Sequence, residues 1–159
     1  MKVRIIAVGR LREKAYRELA DEYLKRLSRY GTYEEVELKD LPEPDNAGDA
    51  DRERVKTLEG EAILRQIRPE DRVVALTIPG KHLTSEELAG RVAAEKNAGT
   101  GRLIFVIGGS LGLGDNVLRR ADAEMSMSRM TFPHQLARVM LLEQLYRAEK
   151  INAGERYHK

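Results

Sequence analysis

The sequence predicts an α/β domain built on a largely parallel sheet. Short apolar runs rich in β-branched residues (VRIIAV, VVALTI, LIFVI) alternate with longer charged stretches of helical period. Glycine and proline punctuate the junctions between them.

In order, residues 2–8 read as a buried strand. Leu11, Ala15, Leu19, Tyr23 and Leu27 then recur at near-helical spacing, which predicts a helix over residues 12–30 closed by Gly31. Residues 33–38 read as a half-exposed strand. Residues 41–51 (LPEPDNAGDAD) are rich in proline, glycine and acid and read as a loop. Residues 52–67 form a second amphipathic helix. Residues 71–78 form a buried strand, and Pro79, Gly80 and Lys81 turn away from it. Thr84 and Glu87 have the spacing of a capping box, opening a helix that runs to about Asn97. Residues 103–107 are a further buried strand. It feeds GGSLGLG, residues 108–114, and a short helix opens at Asp115. Residues 124–127 read as a last strand. Pro133 suits the first turn of a final helix, where a missing N–H costs nothing.

The chain of 159 residues reads as one domain, residues 1–159, long enough to bury a core unaided. It has no cysteine, which excludes disulfides, thiolate zinc sites and a cysteine nucleophile. Three histidines are few for a histidine-built metal site, so no metal is expected. No apolar run approaches the ~20 residues that span a bilayer. The N-terminal apolar run is too short for a secretory signal, and a cytoplasmic, membrane-free protein is expected. With 28 basic and 26 acidic residues the net charge is +2, so any contact with RNA must use locally gathered cations.

Four segments carry candidate chemistry. GGSLGLG follows a strand and precedes a helix, the layout of a backbone-lined ligand site. Its spacing matches neither the dinucleotide fingerprint nor the P-loop, and a tight turn is the plainer alternative. The run Ser126 to Phe132 (SMSRMTF) sits where loops line sites at the C-terminal edge of a parallel sheet, although ordinary core would also explain its methionines. The final helix is apolar on nearly every side, as for a helix at a homodimer contact or one central in its own core. His134 and Arg138 share one of its faces. Last comes the tail ERYHK, which is either a loose end or a docked one in which His158 titrates near neutral pH.

Together FVIGGSLGLG, SMSRMTFPHQLARVMLLEQLYRA and INAGERYHK closely resemble the ribosomal RNA large subunit methyltransferase H family, within the SPOUT class of knotted methyltransferases. The resemblance runs from MKVRIIAVGRL through ALTIPGK to the terminal YHK. It implies a SPOUT-type α/β knot, a parallel-sheet domain with a deep C-terminal trefoil knot that no periodicity argument would find. It implies S-adenosyl-L-methionine as cofactor and a homodimer that completes the site. The implied reaction is N3-methylation of the pseudouridine at position 1915 of 23S ribosomal RNA, in the large subunit or the assembled ribosome.

By motif match the cofactor positions are Leu76, Gly108, Met127, Ser128, Arg129, Met130, Thr131 and Phe132. Methyl transfer from a sulfonium mainly needs alignment of the groups, plus removal of the N3 proton. His158 is the expected base or proton relay, with Tyr157 and Arg138 as the other catalytic candidates. His134, Arg156 and Lys159 are the expected substrate contacts, and Arg147 and Lys150 would extend an RNA-facing patch. A non-catalytic RNA-binding module and a small-molecule methyltransferase are the competing classes.

Overall fold

The computed structural model describes Met1–Lys159. Five strands form one parallel sheet in the order β2-β1-β4-β3-β5. They are β1 (Lys2–Val8), β2 (Thr32–Leu38), β3 (Arg72–His82), β4 (Arg102–Ile107) and β5 (Ala123–Ser126). The helices are α1 (Lys14–Leu27), α2 (Asp49–Leu64), α3 (Ser85–Asn97), α4 (Asp115–Arg120) and α5 (His134–Asn152).

The two-residue period of a strand sorts the core into two layers. Val3, Ile5 and Ala7 of β1, with Leu103 and Phe105 of β4, face α1, α3 and α5. Ile6 and Val8, with Ile104 and Val106, face Ile63 of α2 and Val117 of α4. Both faces of the central strands are therefore covered, which is why their sequences are continuously apolar.

Several boundaries differ from the sequence expectation. α1 begins at Lys14 because Glu13 is extended (φ −79°, ψ 127°), and Glu37 of β2 accepts the Leu11 N–H at 3.0 Å, holding residues 9–12 as a loop. α2 begins at Asp49, inside the stretch expected to be loop. Asp51 accepts the Gly48 N–H at 3.1 Å, and acids in a first helical turn favour its N-terminus. Thr84 and Glu87 do form the capping box: Thr84 Oγ1 accepts Glu87 N–H at 3.1 Å, and Glu87 accepts Thr84 N–H at 2.7 Å. Pro133 caps α5 in an extended conformation (ψ 133°) instead of occupying its first turn, and its carbonyl accepts the Ala137 N–H.

The largest difference lies in β3. Pro79 and Gly80 do not end it; Leu76 and Lys81 both pair with Met125 of β5, so residues 77–80 bulge around that one position. Gly80 is required there, since a Cβ would stand 2.7 Å from the Met125 carbonyl carbon and 2.8 Å from its nitrogen.

α5 packs between α1 and α3, which bury Leu141, Leu142, Leu145, Tyr146 and Ala148 within the chain. Most of its apolar circumference is thus covered by its own domain, leaving Leu136 and Met140 half-buried. No helix is long and apolar enough to cross a membrane.

Candidate active site

A cleft opens at the C-terminal edge of the sheet, where β3, β4 and β5 hand over to loops. Leu76, Thr77 and Ile78 of β3 form one wall. Ile107, Gly108, Gly109 and Gly112 form the second. Ser126, Met127, Ser128, Met130, Thr131 and Phe132 close the third, with His134 and Ala137 at the start of α5. The empty space, including its open mouth, is about 640 Å³.

The lining is nearly free of charge, since His134 is its one ionisable side chain. Backbone donors take the place of charged groups. No hydrogen bond within the chain engages the N–H of Gly108, Ser128, Thr131 or Phe132. The loop carrying three of them is braced from within. Ser126 Oγ donates to the Ser128 carbonyl at 2.9 Å, and Ser128 Oγ accepts the Met130 N–H at 3.0 Å. A rigid, uncharged cleft with unpaired amides suits a nucleoside: apolar walls for the base and directed donors for its edge and ribose. It does not suit a polyphosphate.

The glycine wall lies against β4's own return. A Cβ on Gly108 would stand 2.6 Å from the Gly112 carbonyl carbon and 2.7 Å from its oxygen. Over residues 1–158 the chain matches the family model described as "Predicted SPOUT methyltransferase". The chain belongs to the SPOUT methyltransferase family.

Proteins named ribosomal RNA large subunit methyltransferase H are similar to it end to end. Those of Bifidobacterium animalis subsp. lactis and Bifidobacterium adolescentis are 52% and 50% identical over 159 residues, covering 100% of both chains. That of Lactococcus lactis subsp. cremoris is 47% identical over the same span. Among solved structures, a probable methyltransferase from Bordetella pertussis Tohama I shares the fold, with a TM-score of 0.59 at 15% identity. The match covers 93% of this chain and 96% of the other.

Seven of the eight residues that the motif match assigns to the cofactor line this one cleft of the SPOUT domain. Arg129 is the exception: its side chain lies outside, in a shallow depression with His82. Thr77 and Ile78 lie in the strand the sequence predicts, but the motif match assigns only Leu76 of that strand to the site.

Arg138 lies away from the cleft in this chain. It is 2% exposed, and its guanidinium faces Glu37 at 2.8 Å, Glu35 at 3.4 Å and the Gly9 carbonyl at 3.4 Å. Arg17 neutralises the same two carboxylates from the solvent side. The group is spent on an internal ion cluster and does not reach the cleft.

The tail is docked, on the far side of the Ser126–Met127 wall. There a second hollow, lined by Leu83, Thr84, Met140 and Glu143 among others, backs onto the first. Tyr157 packs edge-on against Tyr146 with ring centres 4.9 Å apart, under the Arg147 guanidinium. Its hydroxyl donates to Glu143 at 3.1 Å. Burial first, then the Glu143 carboxylate, push the Tyr157 phenol up to about 12. His158 Nε2 lies 2.8 Å from Glu86 Oε1, and Nδ1 lies 3.3 Å from Arg147. In the neutral ring this places the proton on Nε2 and the lone pair on Nδ1. Arg156 and Lys159 are exposed and make no ion pair, whereas Arg147 and Lys150 are held by Glu143 and Glu155.

Glu59 of α2 was not anticipated. It is 6% exposed, accepts the Leu41 N–H at 3.0 Å and puts both carboxylate oxygens 3.5 Å from the Cβ position of Gly109. Burial pushes its carboxyl above the ordinary range, opposed by the Leu41 N–H and reinforced by Asp40. An acid with a raised folded-state value destabilises once ionised. The penalty is therefore absent below the unfolded-state value (~4.3) and present above the folded one. Glu59→Gln is accordingly expected to be more stable than the parent near pH 7, with the gap closing near pH 4. Urea midpoints at the two pH values check this; a gap that widens in acid would contradict it.

Proposed function

We propose that the chain is an S-adenosyl-L-methionine-dependent methyltransferase that methylates N3 of a pseudouridine, position 1915, in 23S ribosomal RNA. The observation that carries this reading is the cleft itself: nearly uncharged, walled by Leu76, Met127 and Phe132, and furnished with unpaired amides at Gly108, Ser128, Thr131 and Phe132. The end-to-end likeness to relatives named for large-subunit ribosomal RNA methylation supports the substrate class.

When bound, the cofactor supplies an electrophilic methyl group on its sulfonium. The remaining work falls to the protein. Leu76 and the Met127 and Phe132 side chains would hold the adenine between apolar surfaces, while the amides of Gly108, Thr131 and Phe132 would meet its edge and the ribose. Closing the cleft to water keeps donor and acceptor aligned. The imide proton of the target must leave to a group within hydrogen-bond reach. Within one chain His134 is the cleft's one ionisable side chain.

In the same reading the protein is a homodimer, and His158, with Arg156 and Lys159, reaches the partner's cleft from across the interface. The half-buried Leu136 and Met140 on α5 support a contact there. The C-terminal segment is read as threaded through a trefoil knot, in keeping with the match to the SPOUT methyltransferase family.

Deleting residues 157–159 is expected to abolish methylation of ribosomes while leaving calorimetric binding of S-adenosylmethionine intact. Mixed dimers pairing this truncation with His134→Ala are expected to regain one working site, because an intact tail then serves an intact cleft. Mass spectrometry of the ribosomal RNA reads both. Full activity of the truncated homodimer would sink the tail's role.

A further inference from the structure

The cleft leaves the anionic part of an RNA substrate unanswered, because its lining holds no permanent cation. Beside it lies a shallow depression lined by His82, Met127, Ser128, Arg129 and Met130. Three of these residues, Met127, Ser128 and Met130, also line the cleft, so the two spaces share a wall.

Resting on the functional reading above, we propose that this depression binds a backbone phosphate of the RNA next to the target nucleotide, with Arg129 and His82 as its side-chain contacts. Both residues are exposed and neither side chain makes an ion pair or hydrogen bond, although much of the surface charge of this chain is paired. The one carboxylate on the facing strand, Glu124, is engaged by Thr77 Oγ1 at 2.9 Å. The backbone N–H groups of Ser128 and Arg129 are also without partners within the chain.

The platform is fixed in place. His82 is held by pairing with Ser126 where β3 resumes, and Arg129 rides at the tip of the turn braced by Ser126 and Ser128. An arginine fork, an imidazole and unpaired amides around one hollow match the oxygens of a phosphodiester. Met130, 71% exposed on the shared wall, offers an apolar face to the adjoining base. In a chain of net charge +2, such a local site supplies the attraction that overall charge does not.

The test uses the full-length enzyme, ribosomes as substrate and S-adenosylmethionine as methyl donor. Arg129→Ala is expected to raise KM for ribosomes about tenfold, leave kcat near the parent value and make the salt dependence shallower by about one counterion. Arg129→Lys should recover part of the loss, and His82→Ala should show a smaller rise. Calorimetric affinity for S-adenosylmethionine should not change. A parent-like KM and salt slope in Arg129→Ala would overturn the proposal while leaving the functional reading intact. So would a loss of cofactor affinity, which would return Arg129 to the cofactor site. A parent enzyme that methylates no ribosomal RNA would overturn both.

Discussion

Gly108→Ala is expected to weaken S-adenosylmethionine binding by about ten- to a hundredfold. The added Cβ meets the carbonyl carbon and oxygen of Gly112 at 2.6 and 2.7 Å, and the Leu113 nitrogen at 3.0 Å. These are backbone atoms, so no rotamer change relieves the clash and the glycine wall itself must move. Inserting a methyl into a packed site costs about 1–3 kcal/mol, and each ~1.4 kcal/mol is tenfold in affinity. The displaced wall also carries the unpaired Gly108 N–H, so geometry and hydrogen bonding fail together. Gly112→Ala is the control. Nothing lies within 4 Å of its Cβ, and only the cost of its positive φ (84°) remains. Calorimetry on both variants separates the effects; parent-like binding by Gly108→Ala would mean that this wall does not contact the cofactor.

Arg138→Ala is expected to cost about 3–5 kcal/mol of folding stability, a large share of the roughly 5–15 kcal/mol typical of a domain. Removing the guanidinium leaves the Glu35 side chain, 7% exposed, beside Glu37 with its buried partner gone. Glu35 Oε2 is held by charge alone, because Arg138 Nε lies 3.4 Å away without an aligned hydrogen bond. Arg17 stays to soften the loss from the solvent side. Arg138→Lys keeps the charge but not the fork, so its stability should fall between the two. Denaturant unfolding reads these values. Turnover per folded molecule should stay near the parent, since the group faces the ion cluster. A variant that folds as stably as the parent yet turns over poorly would restore a catalytic role.

The strands and the capping box were legible because their causes are local. Continuous β-branched runs report strands covered on both faces, and Thr84 meets Glu87 only three residues away. Seven of the eight residues the motif match named converge on one cleft, because six of the eight are close in sequence. What failed has a common cause. Pro79 and Gly80 look like a stop from their neighbours, yet β3 resumes because β5, more than forty residues later, supplies the Lys81 and His82 pairings. Arg138 looks like a free cation on its helix, yet its partner Glu37 lies 101 residues away in sequence. Glu59 carries no local sign of its place behind Gly109.

By itself the sequence determined the α/β class, the order of the elements, the glycine wall and, through three motifs taken together, the family. These rest on short-range periodicity and on residue identity, which the chain displays before it folds. Only the tertiary structure decided which side chains meet. It brought Leu76, Gly108, Met127 and Phe132 to one cleft, sent Arg129 outside it, buried Arg138 among carboxylates and set the tail behind the cleft's far wall. Those outcomes depend on convergence of distant segments at the sheet's C-terminal edge, and burial there fixes the chemistry each side chain can perform.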